Sequence, residues 1–195
     1  MWHSAIFSEV ISRTQGAVGR LAVLFVILAA VGAAQSAGLI SVEEALETAF
    51  PGADFKRETV FLTDAQMDKV ERNAGERPRS ALTTRFRAQT GQTTIGWAYL
   101  DTHRVRTLPE TVMVIISPSR SVRRVEVVSF REPLDYLPPE SWYGQFEGHE
   151  LDEDLELKRA IRPITGATLT ARATTDAVRR ILAIHVALQE SEGQP

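Results

Sequence analysis

The chain contains no cysteine in 195 residues, which removes disulfides, thiolate nucleophiles, iron–sulfur clusters and cysteine-bound zinc together. The compartment stays open on that count, because exported proteins can also lack cysteine. Nor is there a surplus of positive charge: 22 Lys and Arg against 25 Asp and Glu leave a net charge of −3. Nucleic-acid binding draws its affinity from Lys and Arg facing phosphates, so that class has no support. Gly-x-Gly-x-x-Gly, P-loop and His-Glu-x-x-His motifs are absent as well. A Rossmann nicotinamide site, nucleotide hydrolysis and zinc-peptidase chemistry are therefore without their motifs. There is no internal repeat and no low-complexity tract. What is present, 44% hydrophobic and 24% charged residues, is the composition of a folded domain with its own core.

Arg13 and Arg20 precede an uncharged apolar run, residues 21–34, and Ala34-Gln35-Ser36 before Ala37 fits a small-residue cleavage site. At 1.5 Å per residue the run spans only ~21 Å, short of the ~30 Å hydrocarbon core. That suits a signal-peptide core better than a spanning helix. An uncleaved anchor is the alternative, since residues 37–40 add apolar length, and a buried core helix is the third reading. Residues 1–37 are thus expected to be a signal peptide or an N-terminal membrane anchor, placing residues 41–195 outside the cytoplasm, in the periplasm.

Beyond the leader, Ser41-Val42-Glu43-Glu44 is a capping signature for a short helix ending before Pro51-Gly52. A strand over 55–62 follows, then a polar helix over 65–73 closed by Gly75 and Pro78. Four strand-like runs come next, at 82–89, 93–100, 111–117 and 122–130, with hairpin-sized connections at 90–92 and 118–121. The last run alternates apolar with charged residues, as in an antiparallel sheet with one wet side. A final long helix reaches about residue 190. Its core stripe reads as Leu169, Ala173, Ala177, Ile181, Ile184 and Leu188, with Arg172, Arg179, Arg180 and Gln189 on the other side. The expected class is α+β: an antiparallel sheet packed against the long C-terminal helix, with a small N-terminal α/β portion over 38–79.

The mouth of that helix reads P-I-T-G-A-T-L-T. Pro163 and Gly166 both resist helix, so the helix starts at or after Thr165. The first amides of a helix lack partners and carry partial positive charge, which favours an anion. Gly166 and Ala167 let a group approach the backbone, and Thr165 and Thr168 add hydroxyls. The same residues equally suit a plain N-cap.

This stretch resembles the flavinylation motif D-x-x-[ST]-G-A-[ST] of the FMN-binding domain family. That family includes the C subunit of the sodium-translocating NADH:quinone reductase and the G subunit of the Rnf complex. Thr165-Gly166-Ala167-Thr168 matches in full, and Gly96-Trp97-Ala98-Tyr99 with the later V-V-S-F-R-E-P resembles a second family segment, with Glu132 at its acidic position. The likeness covers about residues 80–188 and implies an FMN-binding domain over 80–190. It implies that Thr168 accepts FMN through a phosphoester bond made by a separate flavin transferase. The motif Asp is Arg162 here. Either Arg162 pairs with the flavin phosphate and holds FMN non-covalently, or a tolerant transferase still modifies Thr168.

Other candidates carry two readings each. His103, in the run 101–106 with Arg104 and Arg106, suits a flavin-gripping loop or a solvated turn. Glu132 suits a bond to the flavin or a surface strand end. Trp142 and Phe146, four apart, pin a short helix or stack on a flavin. His149 among acids is a weak metal candidate. The expectation is an exported FMN-binding electron-transfer protein. Its partners would be a flavin transferase and a membrane quinone or cytochrome module, and a cofactor-free adaptor of the same fold is the competing reading.

Overall fold

Five strands pair in the order in which they occur along the chain: β1 (Asp54–Phe61), β2 (Leu82–Thr90), β3 (Thr93–Arg104), β4 (Pro109–Ile116) and β5 (Val122–Phe130). Every neighbouring pair is antiparallel, so short turns join β2 through β5, while residues 62–81 connect β1 to β2. The computed structural model describes residues 39–192, which belong to one compact unit. The leader reading of residues 1–37 falls outside them. No helix among the described residues is long and apolar enough to cross a membrane.

Helix boundaries follow from local chemistry. In α1 (Val42–Ala49) the Ser41 hydroxyl accepts from the Glu44 amide at 3.0 Å. In α2 (Asp64–Ala74) Thr63 and Gln66 cap each other reciprocally, and Gly75 ends the helix at φ 82°. A 3₁₀ turn (Leu134–Tyr136), the four-residue α3 (Glu140–Tyr143) and a second 3₁₀ turn (Gly144–Phe146) precede α4 (Thr168–Glu192). Trp142 and Phe146 are both buried, their rings 5.4 Å apart, so they do pin this region to the core.

Both faces of the sheet are covered. The α4 and α2 side buries Val70, Val112, Val114, Ile181 and Leu182. The α1 side buries Leu46, Phe50, Ala98, Met113 and Ile115. Fully burying each large side chain contributes roughly 1.5–3 kcal/mol. The single wet face expected from β5 therefore holds only near its exposed Arg123 and Arg124; over β3 and β4 that face is dry beneath α1. The small N-terminal α/β portion is present as α1, β1 and α2, and it joins the main sheet and core: β1 pairs with β2 along its whole length, and Leu62 and Val70 lie in the main core.

Two details of α4 differ from the expected stripe. Leu169 is half-exposed, at 50%. Arg179 and Arg180 are buried, because α4 packs against α2 as well as the sheet and its covered arc is correspondingly wide. Arg179 donates to the carbonyls of Asp152 and Leu155 at 3.0 and 2.9 Å. Arg180 forks onto Asp101 at 2.9 and 2.8 Å and reaches Glu76 at 2.9 Å.

Candidate functional site

The foot of α4 is open. Thr165, Gly166 and Thr168 are exposed, while Ala167 is tucked inward. Gly166 has φ +88°, and a Cβ added there would meet nothing within 4 Å, so the positive φ and not crowding is what calls for glycine. The helical ladder begins with Ala171 N donating to Ala167 O at 2.9 Å. The amides of Thr168, Leu169 and Thr170 thus precede the ladder, at the positive end of the helix. The Thr168 hydroxyl donates to the Ile164 carbonyl at 3.1 Å, an exposed bond whose loss costs only ~1 kcal/mol.

Beside this foot lies a hollow of about 230 Å³ lined by Arg106, Tyr136, Gly166, Ala167, Thr168, Leu169 and Thr170. Among the described residues Arg106 is the only charged one lining it, its guanidinium carbon 4.8 Å from the Tyr136 ring centroid. The Thr170 hydroxyl donates to the Tyr136 carbonyl at 2.6 Å, tying the 3₁₀ turn to α4. Hollows of about 440, 340 and 310 Å³ elsewhere are lined by none of the residues expected to bind the cofactor: Trp97, His103, Glu132, Arg162, Thr165, Gly166, Ala167 and Thr168.

Of those residues, Thr168, Gly166 and Ala167 line the hollow and Thr165 adjoins them. Arg162 does not line it. Its side chain is exposed, while its backbone is held by Gln145 Oε1 at 3.0 Å and by the Trp142 indole N–H at 2.8 Å. The cation at the foot is Arg106, brought there by the β3–β4 turn.

Glu132 binds the chain itself. Its Oε1 accepts from the amides of Arg106, Thr107 and Leu108 at 3.2, 2.7 and 2.8 Å. The Leu108 amide first, then that of Thr107, hold its carboxyl below the ordinary value. A surface role for this carboxylate is excluded by its burial, at 7% exposure.

His103 lies inside β3 and not in a loop. The strand continues through it because its polar residues find buried partners. Nδ1 meets Asp101 Oδ1 and Nε2 meets Glu110 Oε2, both at 2.9 Å. Burial opposes the imidazolium, but the bonds to Asp101 and Glu110, and their charges, prevail and raise its pKa to about 9. Both ring nitrogens therefore donate at neutral pH. Thr174 of α4 also donates to Glu110 Oε2 at 3.1 Å.

Trp97 is at the other end of the molecule. Its ring packs 4.9 Å from His185, seventeen residues beyond Thr168 and so ~25 Å along the helix axis. Neither His103 nor Trp97 reaches the foot of α4. Sequence reasoning missed Tyr136, which carries no motif, and named Arg106 only as one member of a polar run. Among known proteins, no family model matches this chain and no curated protein matches it by sequence.

Proposed function

We propose that this unit is an FMN-binding electron-transfer domain, the family likeness lying within residues 80–190, with the flavin phosphate at the foot of α4 and Thr168 as its covalent acceptor. One observation carries this reading: a threonine hydroxyl, the first amides of a long helix and an arginine all border one open hollow. These groups suit a phosphate monoester, since the amides and the guanidinium both donate to anionic oxygens. At about 230 Å³ the hollow is smaller than the ~300–1,000 Å³ of enclosed ligand pockets. A phosphate and its polyol stem suit that size, with a ring left accessible to a redox partner.

When bound, FMN would supply one- and two-electron chemistry. The chain's own residues orient and hold. Thr168 offers its oxygen, the amides and Arg106 neutralise the phosphate, and Tyr136 and Leu169 give apolar walls. Among the described residues no His, Asp or Glu lines the hollow beside Thr168 to act as a general base. Attachment is thus assigned to a flavin transferase. The Thr168 oxygen would form the new bond to the FMN phosphorus of FAD, AMP would leave, and the hydroxyl proton would pass to the transferase or solvent. The setting we propose is extracytoplasmic, with a membrane quinone or cytochrome module as electron partner.

Expression alongside a flavin transferase tests the reading. Wild-type protein should fluoresce in a denaturing gel and gain the mass of one FMN phosphoester. Thr168→Ala should lose both signals, and Thr165→Ala should keep them. Adduct-free wild type that still binds FMN would leave a non-covalent carrier. Wild type without any flavin would point to the cofactor-free adaptor.

A further inference from the structure

We infer that Arg106 is the residue that reads the anionic end of a ligand at the foot of α4, and that Glu132 is its positioning residue. The inference takes the ligand's identity from the flavin reading, but its charge from the hollow itself.

A guanidinium at the tip of a hairpin is ordinarily a solvated, roaming group. Here the turn that carries it is fixed from both sides. Within the turn, Val105 N donates to Leu108 O at 3.1 Å. Three successive amides of that turn and the Thr107 hydroxyl, at 3.3 Å, all bond one oxygen of Glu132. Glu132 itself sits two residues beyond β5, where Arg131 N donates to Pro109 O at 3.1 Å. Below the turn, His103 and Glu110 face one another across β3 and β4 and share a buried hydrogen bond.

With the turn fixed, Arg106 lies over the Tyr136 ring, and that ring's backbone is bonded to α4 through Thr170. Among the described residues no carboxylate pairs with Arg106. Among those residues its charge is the only one lining the hollow, which it shares with Thr168 and Thr170 of the helix mouth. The Arg106 side chain is exposed, and its planar fork, resting on the Tyr136 ring, matches phosphate oxygens. Glu132 acts through Arg106: its Oε1 is taken by the turn and it does not line the hollow, so it shapes the site without touching the ligand.

The test compares FMN with riboflavin, which carries the same ring without the phosphate. The full-length protein, made without a transferase, is titrated with each while flavin fluorescence is followed. Wild type should prefer FMN by roughly 10–100-fold, the range for hydrogen bonds to a charged group. R106Q should bring the preference close to one by weakening FMN alone. E132A should cut the preference at least about fivefold with riboflavin affinity unchanged. E132Q should restore most of it, since an amide oxygen still accepts from the turn.

A preference that survives R106Q would overturn the inference. So would an E132A variant that weakens both flavins equally, which marks general loosening of the fold. If wild type binds neither flavin, the flavin reading fails and inorganic phosphate decides. Phosphate-induced shifts of the Gly166 and Thr168 amide resonances that vanish in R106Q sustain the role of Arg106. Shifts that are absent from wild type, or that persist in R106Q, refute it.

Discussion

At the scale of single residues, two glycines show how differently the same residue type is required. Gly96 lies under Phe50: a Cβ there would intrude on the Phe50 ring and come within 2.8 Å of the Ile116 carbonyl oxygen. Gly96→Ala should destabilise the fold by about 2–3 kcal/mol, the usual cost of overpacking. Gly166 has open space around it but a φ of +88°, so Gly166→Ala should cost only about 1 kcal/mol. Urea unfolding of the two variants checks the order. Equal losses would mean that the backbone at the foot of α4 is held more tightly than its exposure implies.

At the scale of the element, α4 is fastened to the sheet by a polar line as well as by apolar packing. Arg180 joins Glu76 to Asp101, Asp101 joins His103, and His103 joins Glu110, which also takes the Thr174 hydroxyl. Burial works against the Asp101 carboxylate, yet the bonds from His103 and Arg180 more than offset it and lower its pKa. Arg180→Met would leave that buried carboxylate half-partnered, at a cost of about 3 kcal/mol. Adding Asp101→Asn should cost less than the sum of the two single changes, because the partners are coupled. Additive losses in equilibrium unfolding would show that the pair does not act as a unit.

For the whole molecule, two buried histidines set opposite limits on pH. The folded-state pKa of His103, raised to about 9, lies above the unfolded value of roughly 6.5. Its contribution is therefore complete below about pH 6.5 and is lost as pH climbs toward 9. His185 is the reverse case: burial, helped by the charges of Arg85 and Arg120, lowers it to about 4. Below roughly pH 6.5 the unfolded chain takes up a proton there that the folded chain refuses until about pH 4, so stability falls on the acid side. Urea midpoints measured from pH 5 to 9.5 should fall on both flanks, and His103→Gln should flatten the alkaline one. An alkaline flank that is already flat in wild type would contradict the ion-paired state of His103.

Much of the fold was legible because its signals are local. The caps at Ser41 and Thr63, the αL stop at Gly75 and the hairpin at residues 90–92 each depend on neighbours a few residues away. The open threonine corner was legible too, since Pro163 and Gly166 exclude helix by their own backbone preferences. The rest rests on partners far apart in the chain. β3 continues through Asp101 and His103 only because Arg180 and Glu110 lie opposite them. Leu169 left the core stripe because it borders the open hollow at the foot of α4. Glu132 turned from ligand candidate to turn clamp because β5 ends beside the β3–β4 hairpin. The sequence by itself determined where the capped helices and hairpin turns fall, and where a chain corner offers hydroxyls and amides. Only the tertiary structure decided which charge stands at that corner: Arg106 replaces Arg162 there because strand pairing, not distance along the chain, sets what shares a surface.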